Sequence, residues 1–130
     1  MPVIDAWMQH PTLRHTADPM FDSLRRWTGQ GVPDREMPAA DTLAAMDSGG
    51  VDVALTSAWY APGKTMISND DVQQFVSESQ GRLIGVGSAD ISKPMQACAE
   101  IRRCISELGF KAIRVLPWLW DLSPTDRLFY

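Results

Sequence analysis

Two histidines and three tryptophans have the clearest potential for chemistry in this chain. His10 follows a short apolar segment, where an imidazole can act as a general base, bind a metal ion or simply face solvent. We predict His10 as the catalytic residue and give His15 a weaker claim. Trp7, Trp59 and Trp118 each follow a predicted strand, so we expect them at one end of a sheet. There they could line a pocket for a flat or cyclic organic ligand, or they could plug the end of the sheet.

Arg114 and Gln9 complete the predicted site. Arg114 lies in a segment where charged and apolar residues alternate, which is typical of a strand with one polar face. If the guanidinium points inward it could bind a carboxylate through two hydrogen bonds, and if it points outward it is a solvated strand residue. The predicted site thus has His10 as acid or base and Trp7, Gln9, Trp59, Arg114 and Trp118 as substrate-binding residues.

Several familiar chemical motifs are missing from the sequence. Gly85-Val86-Gly87 lacks the third glycine of a dinucleotide loop and does not open a helix. No nucleophile elbow and no cysteine-rich zinc pattern occurs. Cys98 and Cys104 lie six residues apart in one predicted helix, a spacing too long for a disulfide within a helix. We expect both to be buried thiols in a cytoplasmic protein.

Length and charge narrow the possible partners. The chain has 130 residues, which suits a single domain over 1–130, with 45% hydrophobic and 22% charged residues. Its net charge of -4 argues against nucleic acid or an anionic membrane as a partner. No apolar run approaches the roughly 18 residues of a membrane span, and the first residues do not resemble a secretory signal. A small-molecule substrate is the partner that remains.

Strand and helix patterns alternate along most of the chain. A first strand is predicted over 2–7, followed by a long excursion at about 10–38 that contains a short helix over 19–27. Helices over 39–48, over 69–80 with Asn69 as N-cap, and after a Ser92 cap then alternate with strands over 51–56, 82–87 and 110–115. Gly50, Gly81 and Gly109 end the helices roughly 30 residues apart, about the length of one βα unit.

This alternation predicts a parallel α/β sheet. Lys64 is placed in a loop after the second strand, and a further helix is predicted to begin at Ser123. The long excursion and this last short helix favour the first half of a TIM-type (β/α)8 barrel. A doubly wound α/β domain with helices on both faces remains an alternative, since the same units would fit an open sheet.

Four segments together resemble the N-terminal part of the amidohydrolase-related proteins. They are Val3-Ile4-Asp5, the turn into a strand over 48–54, Gly81-Arg82-Leu83-Ile84-Gly85-Val86, and 99–115 with its Gly109-Phe110-Lys111-Ala112-Ile113-Arg114-Val115 ending. This branch of the amidohydrolase superfamily includes non-oxidative decarboxylases of aromatic and muconate-type acids. The resemblance implies a (β/α)8 barrel of which these residues form about the first half.

The resemblance also implies a divalent metal ion, usually zinc, at the carboxyl ends of the strands. The family's first metal motif is His-x-His directly after Ile-Asp-x, and here those two positions hold Trp7 and Gln9. Tryptophan does not bind zinc, and a glutamine carbonyl is a poor substitute for imidazole. His10 lies one residue beyond the motif. We therefore predict no metal ligand in this chain, although the family leads us to expect zinc.

The function implied is that of an amidohydrolase-like hydrolase or non-oxidative decarboxylase. The substrate would be a small carboxylated or cyclic organic compound, and the chain would be the N-terminal part of the enzyme. Without the histidine pair, a metal-free variant using His10 is the fallback. The alternative from another class is a non-catalytic half-barrel that associates with itself or a partner, because an open sheet has unpaired edges. A homo-oligomer is accordingly expected.

Overall fold

The computed structural model describes residues 1–129 and has a four-stranded parallel sheet at its centre. Residues 1–129 form six strands, and the first, second, fifth and sixth in chain order build this sheet. The strands are β1 (Ile4–Asp5), β2 (Val53–Ser57), β3 (Trp59–Ala61), β4 (Lys64–Ile67), β5 (Leu83–Gly87) and β6 (Ala112–Ile113).

The order of the strands in the sheet is β1-β2-β5-β6, and all three pairings are parallel. Each new strand adds to the same edge, whereas in a doubly wound sheet the order reverses at a switch point. This is the order of half a (β/α)8 barrel, so the barrel prediction is confirmed and the doubly wound alternative is wrong.

Three helices connect the sheet strands: α3 (Ala39–Gly49), α4 (Asn69–Glu78) and α5 (Pro94–Ser106). Asn69 is not the cap of α4. Ser68 accepts a hydrogen bond from the Asp71 amide while Asp71 accepts one from the Ser68 amide, which is a capping box. The predicted Ser92 cap of α5 is also wrong, because Lys93 holds the cap position and the Ser92 hydroxyl bonds to Asp90 at 2.5 Å.

Two observed strands are shorter than predicted. β1 ends early because the Asp5 carboxylate accepts a hydrogen bond from the Trp7 amide at 2.9 Å, which turns the backbone. β6 contains only Ala112 and Ile113, although the Arg114 amide still donates to the Gly87 carbonyl at 2.8 Å.

The segment after the second strand is a β-hairpin, not the predicted loop. β3 and β4 pair antiparallel, and Gly63 turns the chain between them with a φ of +65°. Lys64 therefore lies on a strand, and its ammonium forms an ion pair with Asp18. Since Asp18 belongs to the excursion, the hairpin anchors that excursion over the end of the sheet.

The excursion over 10–38 contains more structure than predicted. A short helix that the pattern missed, α1 (Leu13–Thr16), precedes the expected one, which forms as a 3-10 turn over Pro19–Phe21 and α2 (Asp22–Thr28). Thr12 accepts a hydrogen bond from the His15 amide to cap α1, and its hydroxyl donates to the Met66 carbonyl at 3.0 Å. The same hydroxyl thus caps a helix and fixes the excursion to β4.

The glycines Gly85 and Gly87 allow helix α5 and the residues after it to pack closely on β5. A Cβ at Gly85 would overlap the Phe110 ring, and one at Gly87 would lie 2.8 Å from the Cys104 sulfur. Cys104 is buried as predicted, and burial raises the pKa of its thiol to about 11. Cys98 is exposed, so the expectation of two buried thiols is wrong for it.

The hydrophobic core lies between the sheet and its helices. One buried cluster joins Met46 of α3 to Ala54 and Leu83, and a second joins Val72, Cys104 and Phe110. Because side chains alternate along a strand, Val53, Leu55 and Ile84 face the opposite, concave side. That a single domain spans 1–130 stays a prediction.

The last described residues do not form the predicted helix from Ser123. A 3-10 turn covers Pro117–Leu119 and another covers Arg127–Phe129, while the final residue, Tyr130, lies outside the described residues. Among residues 1–129, no helix combines the length and the apolar character that a membrane crossing requires.

Candidate functional site

Arg114 is the centre of a cationic and aromatic cluster at the carboxyl ends of the strands. Its guanidinium carbon lies 4.4 Å from the centroid of the Trp7 ring and 5.3 Å from that of the Trp59 ring. Its Nε and Nη2 atoms are buried, and neither has a hydrogen-bond partner among residues 1–129. Burial lowers the pKa of the guanidinium, but arginine stays protonated in proteins. The cluster therefore offers a charged donor pair that has no acceptor in the described part of the chain.

Gln9 orients the indole of Trp59. The Trp59 Nε1–H donates to the Gln9 Oε1 at 2.6 Å, and the Ser57 hydroxyl donates to the same oxygen at 3.1 Å. The Gln9 amide nitrogen in turn donates to the carbonyls of Ser57 at 2.9 Å and His10 at 3.2 Å. Both polar atoms of the side chain are thus engaged, so Gln9 joins the segment after β1 to β2 and fixes Trp59. A direct contact between Gln9 and a ligand stays a prediction.

The three predicted tryptophans do meet at one end of the sheet. The Trp59 ring centroid lies 6.1 Å from that of Trp118 in an edge-to-face arrangement, and the Arg114 guanidinium contacts both Trp59 and Trp7. Trp7 is 67% exposed and Trp118 is 61% exposed, so both keep a free ring surface. An exposed indole beside a half-buried guanidinium suits a flat ligand that carries a negative charge.

His10 lies outside this cluster. It is 1% exposed, and its ring packs against Phe75 with the centroids 4.1 Å apart. Its Nδ1 is 2.8 Å from the Thr42 hydroxyl and its Nε2 is 3.1 Å from the Met37 carbonyl. Since a carbonyl only accepts, Nε2 carries the proton and Nδ1 accepts from Thr42. Burial lowers the pKa of His10. Catalysis by His10 stays a prediction, and it would require this residue to leave two buried hydrogen bonds.

His15, with the weaker claim, is the histidine that meets the cluster. Its ring centroid lies 4.6 Å from that of Trp59 and 4.7 Å from that of Phe21, both edge to face. It is 8% exposed, and neither ring nitrogen has a hydrogen-bond partner in the described part of the chain. Burial, with a smaller effect of the Arg114 charge, lowers the pKa of His15 to about 4. At neutral pH His15 is therefore an uncharged imidazole.

A cavity of about 330 Å³ lies beside His15, and apart from Gln9 its lining residues all belong to the excursion. Apolar walls come from Pro11, Phe21, Leu24 and Met37, and polar side chains also line it, namely those of Gln9, Thr16, Arg25, Thr28 and Gln30. Its volume is near the lower end of the range for small-molecule sites, about 300–1,000 Å³. The cavity was not predicted, because no sequence pattern indicates how the excursion folds back on the sheet.

The two positions of the expected histidine motif do not suit a metal ion. Trp7 has no ligating atom, and the Gln9 oxygen already accepts two hydrogen bonds. The Arg114 guanidinium beside the Trp7 ring would also repel a divalent cation. Within residues 1–129, His, Cys, Asp and Glu side chains do not converge in any group of three that could hold a metal ion. Positions 7 and 9 therefore present an indole and an already bonded amide where the resemblance implies ligands, with the Arg114 cation against the indole.

Sequence comparison finds one short but clear similarity, and no family model matches the chain. The 2-amino-3-carboxymuconate-6-semialdehyde decarboxylase of Dictyostelium discoideum is 43% identical over 47 residues. The matched region is 36% of this chain and 13% of that enzyme.

Structural comparison extends the similarity to nearly the whole chain. The 5-carboxyvanillate decarboxylase of Sphingomonas paucimobilis superposes with a TM-score of 0.64 at 24% identity, over 99% of this chain and 47% of that one. A TIM-barrel protein of unknown function from Bordetella bronchiseptica gives a TM-score of 0.66 at 20% identity, over 92% of this chain and 45% of that one. The chain thus spans less than half the length of these barrels.

A further structure contains a metal ion. The 5-carboxyvanillate decarboxylase of Novosphingobium aromaticivorans was solved with bound manganese, and it superposes with a TM-score of 0.61 at 23% identity, over 88% of this chain and 41% of that one. Identities at this level establish the fold. In fold and in order of elements, the chain therefore resembles the N-terminal part of the amidohydrolase-related decarboxylase barrels, as its sequence indicates.

Proposed function

We propose that the chain forms the carboxylate-binding wall of an amidohydrolase-like enzyme that acts on a small aromatic carboxylic acid. The observation that carries this proposal is the Arg114 guanidinium, whose buried Nε and Nη2 have no acceptor among residues 1–129. Two parallel N–H groups of arginine match the two oxygens of a carboxylate, and the indoles of Trp7 and Trp59 beside them suit the attached ring.

Non-oxidative decarboxylation is the reaction we favour over hydrolysis. Three of the proteins that this chain resembles are named decarboxylases of carboxylated compounds. In this reaction the bond between the ring and its carboxyl carbon breaks, its electron pair stays on the ring carbon, and a proton replaces the released carbon dioxide. Arg114 would hold the carboxylate and the indoles would hold the ring, while Gln9 would keep Trp59 in place.

In this proposal His10 transfers the proton, which requires the excursion to move. The His10 Nε2 proton is bonded to the Met37 carbonyl, so the excursion would have to move before that proton could reach a substrate. We assign no step to a metal ion on these residues, because positions 7 and 9 do not suit one. A cytoplasmic location also stays part of the proposal.

Binding of benzoate to the full chain tests the role of Arg114. Loss of a charge-assisted hydrogen bond costs about 1.5–3 kcal/mol, so R114Q should bind benzoate roughly 10- to 100-fold more weakly than the wild type. The matched control is R102Q, which removes the same charge from an exposed position on α5. Tryptophan fluorescence reports binding because Trp7 and Trp59 adjoin the guanidinium. Equal affinity of R114Q and R102Q for benzoate would show that Arg114 does not bind the carboxylate.

The second candidate, association of the chain with itself, is favoured by the exposed β1 edge. Val3 is 52% exposed and Ile4 is 58% exposed, and β1 pairs with β2 on one side only. An apolar edge strand of this kind favours association. Light scattering over a range of concentrations tests it, and a chain that stays monomeric throughout would exclude the candidate.

A further inference from the structure

The parallel sheet leaves one apolar face and two edges open. Val53, Leu55 and Ile84 lie on the concave face and are only partly buried. Ile4 pairs with Val53, so it lies on the same face, and it is 58% exposed. Among residues 1–129, no strand pairs with the outer edge of β1 or with that of β6. An apolar sheet face that ends in two unpaired edges is typical of a surface that another polypeptide covers.

The order of the strands restricts what can cover this face. The interior of a complete (β/α)8 barrel is filled by layers of four side chains, and each layer takes its side chains from alternate strands. Four consecutive strands can supply only two of the four side chains in a layer. The chain covers less than half of the barrels on which it superposes, in agreement with this count. The complement of the concave face is therefore a second set of four parallel strands.

A second copy of the chain provides such a set by symmetry. A two-fold axis parallel to the strands keeps all eight strands parallel and places β6 of each copy beside β1 of the other. The two edges differ in charge, since Asp5 lies on β1 and the exposed Lys111 directly precedes β6. Each of the two identical seams would thus combine a carboxylate with an ammonium group, which favours this pairing of edges over β1 with β1 or β6 with β6.

We propose that the concave face binds a second copy of this chain and that the two copies close one barrel of eight strands. The inference rests on the proposed function in one respect, namely that the chain associates with itself, and it deepens that candidate by naming the surface. It also completes the carboxylate-binding wall. Arg114 directly follows β6, so in the closed barrel the wall around it faces the same wall of the second copy across a shared opening.

The experiment places a charge on the proposed interface. I4K introduces an ammonium on the concave face at the β1 edge, where the second copy offers an apolar surface. The matched control is M95K, which makes the same kind of change at the start of α5, where Met95 is 85% exposed. Sedimentation equilibrium should show dimers of the wild type and of M95K with equal dissociation constants. For I4K the dimer dissociation constant should rise at least about 30-fold, because a buried charge without a partner is costly.

Hydrogen exchange of the wild-type chain tests the same surface without a variant, and it decides the matter if circular dichroism shows that I4K does not fold. Amides of β1 and β6 should exchange more slowly above the dimer dissociation constant than below it, because the seams add hydrogen bonds there. Amides of α5, on the other side of the sheet, should exchange at the same rate. A monomeric wild type, a dimer that I4K does not weaken, or protection that omits β1 and β6 would overturn the inference.

The proposals fail in different ways. If the wild type is monomeric and R114Q still loses benzoate relative to R102Q, the barrel of two copies is wrong and the carboxylate proposal holds. If I4K dissociates the dimer while R114Q and R102Q bind benzoate equally, the reverse is true. A dimer that forms through another surface keeps the candidate of self-association and excludes the concave face.

Discussion

The regions around His10 and His15 differ in how completely their polar atoms are satisfied. His10 lies between the excursion and helices α3 and α4, where Thr42 and Met37 bond to both of its nitrogens. His15 lies only five residues along the chain and is almost as deeply buried, yet neither nitrogen has a partner among residues 1–129. Both nitrogens of His10 are therefore satisfied within the fold. Both nitrogens of His15 could still form a hydrogen bond.

The arginines repeat this contrast. Arg103 donates to Glu100 at 2.7 and 2.9 Å and to Asp70 at 2.9 Å, and these acceptors raise the pKa of its guanidinium. Arg114 has no such acceptor for its Nε and Nη2 in the described residues. Satisfied polar groups hold the fold together, and unsatisfied ones at the ends of the strands indicate where a ligand completes the structure.

The same substitution at both histidines gives the sharpest test of the contrast. H10F removes two hydrogen bonds, leaving the Met37 carbonyl without its imidazole donor and the Thr42 hydroxyl with only the Met37 sulfur at 3.8 Å. A buried group that loses its partner costs about 1–3 kcal/mol, so H10F should lower the free energy of unfolding by roughly 2–3 kcal/mol. H15F removes no side-chain hydrogen bond and keeps the ring contacts. It should therefore change the free energy of unfolding by no more than about 1 kcal/mol.

Urea unfolding of the wild type and the two variants measures this difference. The comparison is matched, because both variants replace a buried imidazole by the same ring. If H15F proves as destabilising as H10F, then His15 is bonded within the fold and the contrast between the regions is wrong.

Acid should weaken the fold through the unbonded histidine. Burial lowers the pKa of folded His15 to about 4, against 6.5 for the free side chain. As pH falls below 6.5 the unfolded chain takes up a proton that the folded chain does not, so stability decreases until pH reaches about 4. Over this range the free energy of unfolding should fall by roughly 3 kcal/mol.

H15F should remove this part of the pH dependence between pH 7 and pH 4. The folded pKa of His10 is lowered too, so a smaller slope of the same sign remains in the variant. The nearby Asp18 carboxylate opposes the shift of His15 and the Arg114 charge adds to it. Urea unfolding at several pH values provides the measurement, and an identical slope in wild type and H15F would contradict the neutral, buried state of His15.

The alternation of elements was predictable from the sequence because local patterns determine it. Gly50, Gly81 and Gly109 lie within three residues of the ends of α3, α4 and α5, and apolar runs of the right length mark β2 and β5, so the alternation followed. The edge strands were overestimated, since the turn made by Asp5 after β1 depends on a side-chain bond that hydrophobicity does not reveal. The hairpin around Gly63 was missed because its strands contain only three and four residues.

The candidate site was predictable in its members but not in their roles. The strand ends brought Trp7, Trp59 and Arg114 together, as the parallel sheet required. The sequence could not distinguish His10 from His15, because the difference lies in how the excursion folds over the sheet. Thr42 and Met37 are distant in sequence from His10, and a single sequence contains no signal that pairs them.

Divalent metal ions provide the test with the smallest expected effect. An ion bound at positions 7 and 9 would stabilise the fold by about 2.7 kcal/mol at a concentration 100 times its Kd, which is roughly 10 °C in a chain of this size. The Gln9 oxygen is engaged by Trp59 and Ser57, and the Arg114 cation lies against Trp7. We therefore expect millimolar Mn²⁺ to leave the thermal midpoint unchanged relative to the same concentration of Mg²⁺. A rise in the midpoint specific to Mn²⁺ would mean that this end of the sheet can release Gln9 and Arg114, and that the family's metal chemistry is accessible despite the replaced histidines.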